Sequence, residues 1–146
     1  MYPSISDPNF YNKINKVYKK YAISNKKKTF NQICFPKTFE LQQQQKFLAQ
    51  YINPDTPYGG VLVFHRIGAG KTCTAVRIGE EWKHHRNIMV VLPASLTGTI
   101  RHELRSKCAG NSYLTDKERD IIKHLHPSDA DYIRIMRTSD AKINKH

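Results

Sequence analysis

Residues 64–75 read FHRIGAGKTCTA, and the fold turns on whether Gly68-Ala69-Gly70-Lys71-Thr72 within them shapes a phosphate-binding loop. The full loop pattern is G-x-x-x-x-G-K-[ST], and His65 stands where its first glycine is usually written. The flanks suit such a loop. Val61–Phe64 is a short apolar, partly β-branched run after two glycines and reads as a buried strand. Gly70 to about Lys83 reads as a helix, with Ala75, Val76, Ile78, Gly79 and Trp82 available to face a sheet. Gly68 and Gly70 let backbone N–H groups turn inward with no Cβ in the way. The helix that follows points free N–H groups and its positive dipole end at phosphate. Lys71 supplies a point charge to the β/γ-phosphates, and Thr72 a hydroxyl for Mg²⁺. The candidate cofactor-binding residues are therefore His65, Arg66, Ile67, Gly68, Ala69, Gly70, Lys71 and Thr72, with ATP and Mg²⁺ as the expected ligands. His65 is compatible because the first loop position lies on or just off the strand. The competing reading is a tight glycine turn between strand and helix.

Working outward, Ile88–Leu92 reads as a second buried strand closed by Pro93. Ser95 or Thr97 is placed to cap the next helix, which carries Ile100, Leu104 and Cys108 and stops at Gly110. Thr115 to Glu118 has the form of a capping box ahead of Ile121, Ile122 and Leu125. Tyr132, Ile133 and Ile135 suggest a last strand. This alternation predicts an α/β fold, a parallel sheet with flanking helices, over residues 38–146. Upstream, Asp7-Pro8 reads as a helix start, followed by Phe10, Ile14, Val17, Tyr18 and Tyr21 at helical spacing. Residues 24–29 read as a loop, Leu41–Tyr51 as a helix with Leu41, Phe47, Leu48 and Tyr51 apolar, and residues 53–60 as a turn-rich connection.

The chain has 146 residues and a net charge of +12. Residues 1–37 form a basic helical segment with eight lysines against the single acid Asp7, a net of +7. Such a chain meets a polyanion, nucleic acid first, or else carries a solvated lysine-rich face. No apolar run nears the ~20 residues that span a bilayer, and MYPSISDPNF lacks a secretory pattern. Cys34, Cys73 and Cys108 lie far apart without CxxC spacing and are expected to be reduced thiols rather than disulfides or a zinc site. A cytoplasmic setting follows, neither membrane-bound nor secreted. His84-His85, beside Lys83 and Arg86, close a helix where cations suit the dipole. His102, His124 and His126 have no partner at metal-ligand spacing.

A wider arrangement carries a resemblance. LQQQQKFL, then PYGG, VLVFHRIGAGKT and VVLPASL ahead of Glu103-Leu104 follow one another over residues 38–108. This order resembles the front of the first motor lobe of superfamily 2 helicases and translocases, most closely the Swi2/Snf2-like branch. Within that branch it is similar to helicases of large DNA viruses, to the poxvirus nucleoside triphosphatase I and to the small subunit of the early transcription factor. The resemblance implies a RecA-like lobe. It makes Gly68, Gly70, Lys71 and Thr72 motif I, and Gln45 the adenine-contacting glutamine, with Gln42–Gln44 leaving the register open. Pro93, Ala94, Ser95 and Leu96 become motif Ia, which touches a nucleic-acid backbone. Helix capping is the other role open to Ser95 and to Thr97. The implied partners are DNA or RNA and viral RNA polymerase or other transcription machinery, in a viral factory or virion.

A motor also needs an apolar strand ending in Asp-Glu to hold Mg²⁺ and orient water. The sequence offers none: Asp129 and Asp131 lie in a turn, and Glu80-Glu81 lie within a helix. The expectation is an incomplete lobe, broken off before motif II, whose remainder comes in cis or in trans. It is either part of a longer helicase or a short product of a split gene. Whether such a chain is an enzyme on its own stays open. The alternative is a non-catalytic nucleic-acid-binding or transcription-complex subunit with a vestigial loop. A small phosphate-loop kinase fits less well, since it would leave Pro93–Leu96 unexplained.

Overall fold

A computed structural model of the chain describes residues 2–23, 29–34, 38–66 and 68–145, without the side chains of Ile33 and Cys34. Seven α-helices occur among them: α1 (Phe10–Val17), α2 (Phe30–Cys34), α3 (Gln43–Tyr51), α4 (Lys71–Trp82), α5 (Thr97–Arg105), α6 (Asp116–Ile122) and α7 (Ala130–Ile143). Single 3-10 turns lie at Lys19–Tyr21, Ala94–Leu96 and Lys107–Ala109. The expected loop at 24–29 falls outside the described residues except for Thr29.

The expected parallel sheet is not formed, and the α/β, RecA-like reading is corrected: no strand occurs among the described residues. A strand needs a second backbone to complete its hydrogen-bond ladder. Residues 59–66 and 87–93 carry no regular structure, and no backbone hydrogen bond joins them. Their apolar side chains are not buried as expected. Leu62 and Phe64 are 90% and 94% exposed, Met89 and Val91 87% and 85%. A period-two alternation survives in the second run. Ile88, Val90 and Leu92 line a cavity of about 360 Å³ with α4 and α5, and Met89 and Val91 face solvent. The third expected strand, around Tyr132 to Ile135, lies inside α7, whose buried residues Ile135 and Ser139 are one helical turn apart. Burial of Ile135 and Ser139 on one face of the helix overrides the local β-branched preference.

The helices pack through two clusters. The first is largely aromatic and joins α1, the Lys19–Tyr21 turn and α3 to the far end of α4. Ile14, Tyr18, Ile52 and Tyr58 are buried, with Phe10, Phe47, Tyr51, Ile78 and Trp82 against them. Tyr51 and Tyr58 stack with centroids 4.4 Å apart, and Tyr18 meets Phe47 edge-on at 5.2 Å. The polar tips are satisfied: Tyr58 donates to the Pro3 carbonyl at 2.9 Å, Tyr18 to Gln50 at 3.2 Å and Trp82 Nε1 to Ile52 at 3.2 Å. Burial first, then the neighbouring tyrosines, push the Tyr18 hydroxyl up to about 12, so it remains a donor at neutral pH. Residues 10–21 of the basic lead segment are thus docked on α3 through their apolar face. The segment's helix begins at Phe10 rather than at Pro8. Asp7 instead accepts from Asn9 N at 2.8 Å and pairs with Lys13.

The second cluster gathers Cys73, Val76, Cys108, Ala109 and Tyr113, flanked by Leu41, Ile100, Leu104 and Ile143. The expectation of reduced, unpaired cysteines is overturned for two of the three. Cys73 and Cys108 form a disulfide, their Cα atoms 5.2 Å apart. They are 35 residues apart in sequence, so the pairing comes from packing α4 against the Lys107–Ala109 turn and leaves no trace in local spacing. A ring of that size is worth about 4 kcal/mol in the chain-entropy account.

Arg119 fastens the region after α5. Its guanidinium donates to the carbonyls of Arg105 (2.8 Å), Ser106 (3.0 Å) and Gly110, and pairs with Asp116 at 2.9 Å, while its side chain is only 11% exposed. The expected capping box is present. Thr115 Oγ1 accepts from Glu118 N at 3.2 Å, and Glu118 accepts from Thr115 N at 2.7 Å. That backbone N–H holds the Glu118 carboxyl below its usual range.

Two measurements follow from these contacts. Arg119→Ala should lower the urea-unfolding free energy by roughly 2–4 kcal/mol, because its largely buried guanidinium gives charge-assisted bonds to three carbonyls at once. Arg134→Ala, at an exposed pair, should change it by less than about 0.5 kcal/mol. The depressed Glu118 carboxyl gives stability that is full above its unfolded value and lost as pH falls through its lower folded value. Glu118→Gln keeps the cap and should flatten that acid limb in unfolding curves measured across pH.

Candidate functional site

The Gly68–Gly70 segment lies at the start of α4, without the strand expected before it among the described residues. Gly68 and Gly70 have φ of +80° and +75°, the left-handed conformation that side chains disfavour. Gly70 is the N-cap of α4, so Lys71, Thr72 and Cys73 hold its first three helical positions. Their amides have no carbonyl one turn earlier within the helix to bond, which is the source of an anion site. Two positive-φ glycines lead into a twelve-residue helix whose N-terminus faces the loop. Ile67 lies outside the described residues.

Lys71 is exposed and folds back over the loop, its Nζ donating to the carbonyls of His65 (3.1 Å) and Arg66 (3.2 Å). An ammonium held by neutral carbonyls gains charge-assisted bonds with phosphate oxygens when it swings outward. Thr72 is half-buried, and its hydroxyl makes no hydrogen bond among the described residues. His65 is partly buried, with Nδ1 sealed from solvent and without a hydrogen-bond partner. These features fit a phosphate group: two glycines without Cβ, a helix N-terminus, one exposed ammonium and an unengaged hydroxyl of the kind that ligates Mg²⁺.

Behind the loop lies a contact that spacing did not show. Gln45 is 4% exposed, and both ends of its amide are engaged. Oε1 accepts from Gln42 N at 2.9 Å in the capping box of α3, and Nε2 donates to the Gly70 carbonyl at 3.2 Å. The same carbonyl accepts from Thr74 N at 3.0 Å and Thr74 Oγ1 at 3.1 Å. Gln45 therefore sits directly against the glycine loop. Thr74, fully buried and unremarked in the sequence, is its counterpart from within α4. A hydroxyl back-bonding to the carbonyl four residues earlier is a local pattern, and it was the signal available for Thr74.

Pro93, Ala94, Ser95 and Leu96 form an exposed bend that leads into α5. The expected cap by Ser95 or Thr97 is corrected: Leu96 occupies the N-cap position and no side chain caps the helix. Both hydroxyls are exposed on the approach to its N-terminus. The loop and this bend belong to neighbouring elements, since α4 packs on α5 and both border the 360 Å³ cavity. Glu80 and Glu81 are engaged elsewhere, Glu80 with Lys83 at 2.7 Å and with Ser112, Glu81 with Arg77 at 3.0 Å. Among the described residues no group of three or more His, Cys, Asp or Glu side chains is placed to hold a metal ion. No helix among them is long and apolar enough to cross a membrane.

The chain is similar to viral proteins. It is 55% identical over 145 residues, 99% of its length, to an Acanthamoeba polyphaga mimivirus protein named "Putative ATP-dependent RNA helicase". It is 31% identical over 108 residues to an Invertebrate iridescent virus 3 protein and 34% identical over 82 residues to a Frog virus 3 protein, both named "Putative helicase". These alignments cover 73% and 53% of this chain. The chain spans 25% of the mimivirus relative's length, and 11% and 9% of the other two. No protein-family model matches the chain, and no solved structure does. The similarity ties the chain to helicases of large DNA viruses and supports a helicase-related function.

The two loop glycines should respond differently to alanine. At Gly68 an added Cβ meets nothing within 4 Å, so Gly68→Ala carries only the left-handed backbone cost of ~1–2 kcal/mol. At Gly70 the Cβ also collides with Gln45 Nε2, so Gly70→Ala should cost clearly more in urea unfolding. Gln45→Ala should recover part of that excess in the Gly70→Ala background.

Proposed function

We propose that this chain is an ATP-binding portion of an ATP-dependent nucleic-acid motor of the kind encoded by large DNA viruses. The observation that carries the reading is the loop geometry: left-handed Gly68 and Gly70 at the N-terminus of α4, with Lys71 poised over it. When bound, ATP with Mg²⁺ supplies the phosphoanhydride whose cleavage drives such motors.

This chain's residues would act as follows. The Gly68–Gly70 turn and the first amides of α4 bind the phosphate oxygens. Lys71 leaves the His65 and Arg66 carbonyls and neutralises charge on the outer phosphates. Thr72 directs its hydroxyl to Mg²⁺. Gln45 holds the Gly70 carbonyl so that the turn keeps its shape, and its position beside the loop also suits the adenine contact implied by the helicase resemblance. The bend Pro93–Leu96 touches a nucleic-acid backbone through the exposed hydroxyl of Ser95 and the uncapped start of α5. The name of the mimivirus relative makes single-stranded RNA the first substrate to test. Action in viral transcription, in a cytoplasmic factory or in the virion, completes the reading. Finer kinship with the Swi2/Snf2-like branch rests on the motif order alone.

Hydrolysis needs a carboxylate to hold Mg²⁺ and one to orient water. Glu80 and Glu81 are engaged in ion pairs along α4, so the proposal is that this chain binds nucleotide and that other residues of a motor complete the chemistry.

Titration of fluorescent ATP should show saturable binding that weakens in EDTA and falls at least about tenfold in Lys71→Ala, the loss of one charge-assisted phosphate contact. Phosphate release should stay at the level of the Lys71→Ala control. Binding equal in both proteins would overturn the site. Phosphate release that depends on Lys71 would overturn only the division of labour.

A further inference from the structure

We propose that Cys73 and Cys108 form a reversible redox site that sets the affinity of the nucleotide loop, the disulfide form binding ATP more tightly than the dithiol. The proposal rests on the nucleotide reading of the loop and adds a control to it. Cys73 is the third helical residue of α4, directly after Lys71 and Thr72, so the crosslink grips the turn whose amides would face phosphate. Its other end is firmly held. Cys108 N donates to Ser106 Oγ at 3.1 Å, and Arg119 grips the carbonyls of Arg105, Ser106 and Gly110 around it. The closed ring, residues 73–108, takes in α4, the run from Ile88 to Leu92, the Pro93–Leu96 bend and α5. Oxidation thus fixes the loop's first helical turn to the Lys107–Ala109 turn, which follows the C-terminus of α5.

The apolar packing around the pair says what reduction would release. Cys73 and Cys108 are 7% and 6% exposed, among Val76, Ala109 and Tyr113. In the dithiol, α4 keeps these contacts and loses its covalent anchor at the loop end. Its first turn is then free to fray, and ordering it again opposes binding. In the disulfide that ordering is already done. The exchange is balanced: oxidised glutathione accepts the two electrons and two protons of the two thiols, becoming two glutathione molecules as the Sγ–Sγ bond forms. The shielding slows attack on the sulfur atoms, so exchange passes through opening of the α4 contact, and a bound nucleotide slows it further. Linkage makes the effect reciprocal. If the disulfide form binds ATP more tightly by some factor, ATP shifts the dithiol–disulfide equilibrium by the same factor.

The test uses the full chain carrying Cys34→Ser, which removes the third thiol from exchange. The protein is equilibrated across glutathione ratios with and without ATP·Mg²⁺, quenched with an alkylating reagent, and Cys73 and Cys108 are counted by peptide mass. Fluorescent ATP is titrated against the oxidised and reduced forms. The expected results are about fivefold or tighter binding by the disulfide form and an equal shift of the glutathione midpoint by ATP. Cys73→Ser/Cys108→Ser should match the reduced form, and if that variant does not fold, reduced protein gives the same comparison. Equal affinities with no midpoint shift would overturn redox control and leave the nucleotide site standing. A pair that stays unlinked at every glutathione ratio would overturn it as well. Failure of both forms to bind ATP would overturn the control and the nucleotide reading together.

Discussion

The carbonyl oxygen of Gly70 is the joint on which the structure turns. It accepts from Gln45 Nε2, from Thr74 N and from Thr74 Oγ1, and so binds the N-terminus of α3 to the first turn of α4. Only a residue without a Cβ can present it, because the chain here is left-handed and Gln45 fills the space a side chain would need. The loop's shape is held by contacts within the chain. It is set by two helices meeting at one carbonyl, with the aromatic cluster at the other end of α3 and the disulfide beside Thr74 keeping them in place. Lys71 reaches back over the loop, its ammonium resting on the carbonyls of His65 and Arg66.

The helices α1, α3, α4, α5 and α6 were legible in the sequence through local signals, whereas α2 was not and α7 reads as a strand. The capping box of Thr115 and Glu118, the glycines before α4 and the apolar spacing of α3 all require only neighbours a few residues away. Helix ends drifted where a turn preceded the helix, as at Asp7-Pro8, where Asp7 bonds Asn9 N and the helix proper starts at Phe10. The sheet was misread for the opposite reason. Val61–Phe64 and Ile88–Leu92 have the composition of strands, but composition reports a preference for burial and cannot supply a ladder partner. Leu62, Phe64, Met89 and Val91 consequently remain at the surface. Tyr132–Ile135 shows the converse, a β-branched run overruled by a helix whose buried positions are set by Ile135 and Ser139.

The candidate site divides along the same line. Gly68, Gly70, Lys71 and Thr72 were readable because their chemistry is contiguous. Gln45 could be nominated only through the resemblance to helicases, and its hold on Gly70 spans 25 positions in sequence. The disulfide was invisible because CxxC logic looks at short spacings, whereas Cys73 and Cys108 meet through tertiary packing. Ser95 and Thr97 were plausible caps by type, yet the 3-10 turn at Ala94–Leu96 puts Leu96 at the cap position and leaves both hydroxyls exposed. Long-range contacts thus decide what the short motif is attached to.

The central claim is that ATP is held by the backbone of the loop and the first turn of α4. The most direct check is the amide NMR spectrum of the chain during titration with ATP·Mg²⁺. The account predicts that the largest shifts fall on Gly68, Gly70, Lys71, Thr72 and Cys73, with a smaller change at the Gln45 side-chain amide. Shifts centred instead on the lysine-bearing residues of α1 and the Lys19–Tyr21 turn, with the loop amides unmoved, would contradict it and mark the interaction as charge attraction alone.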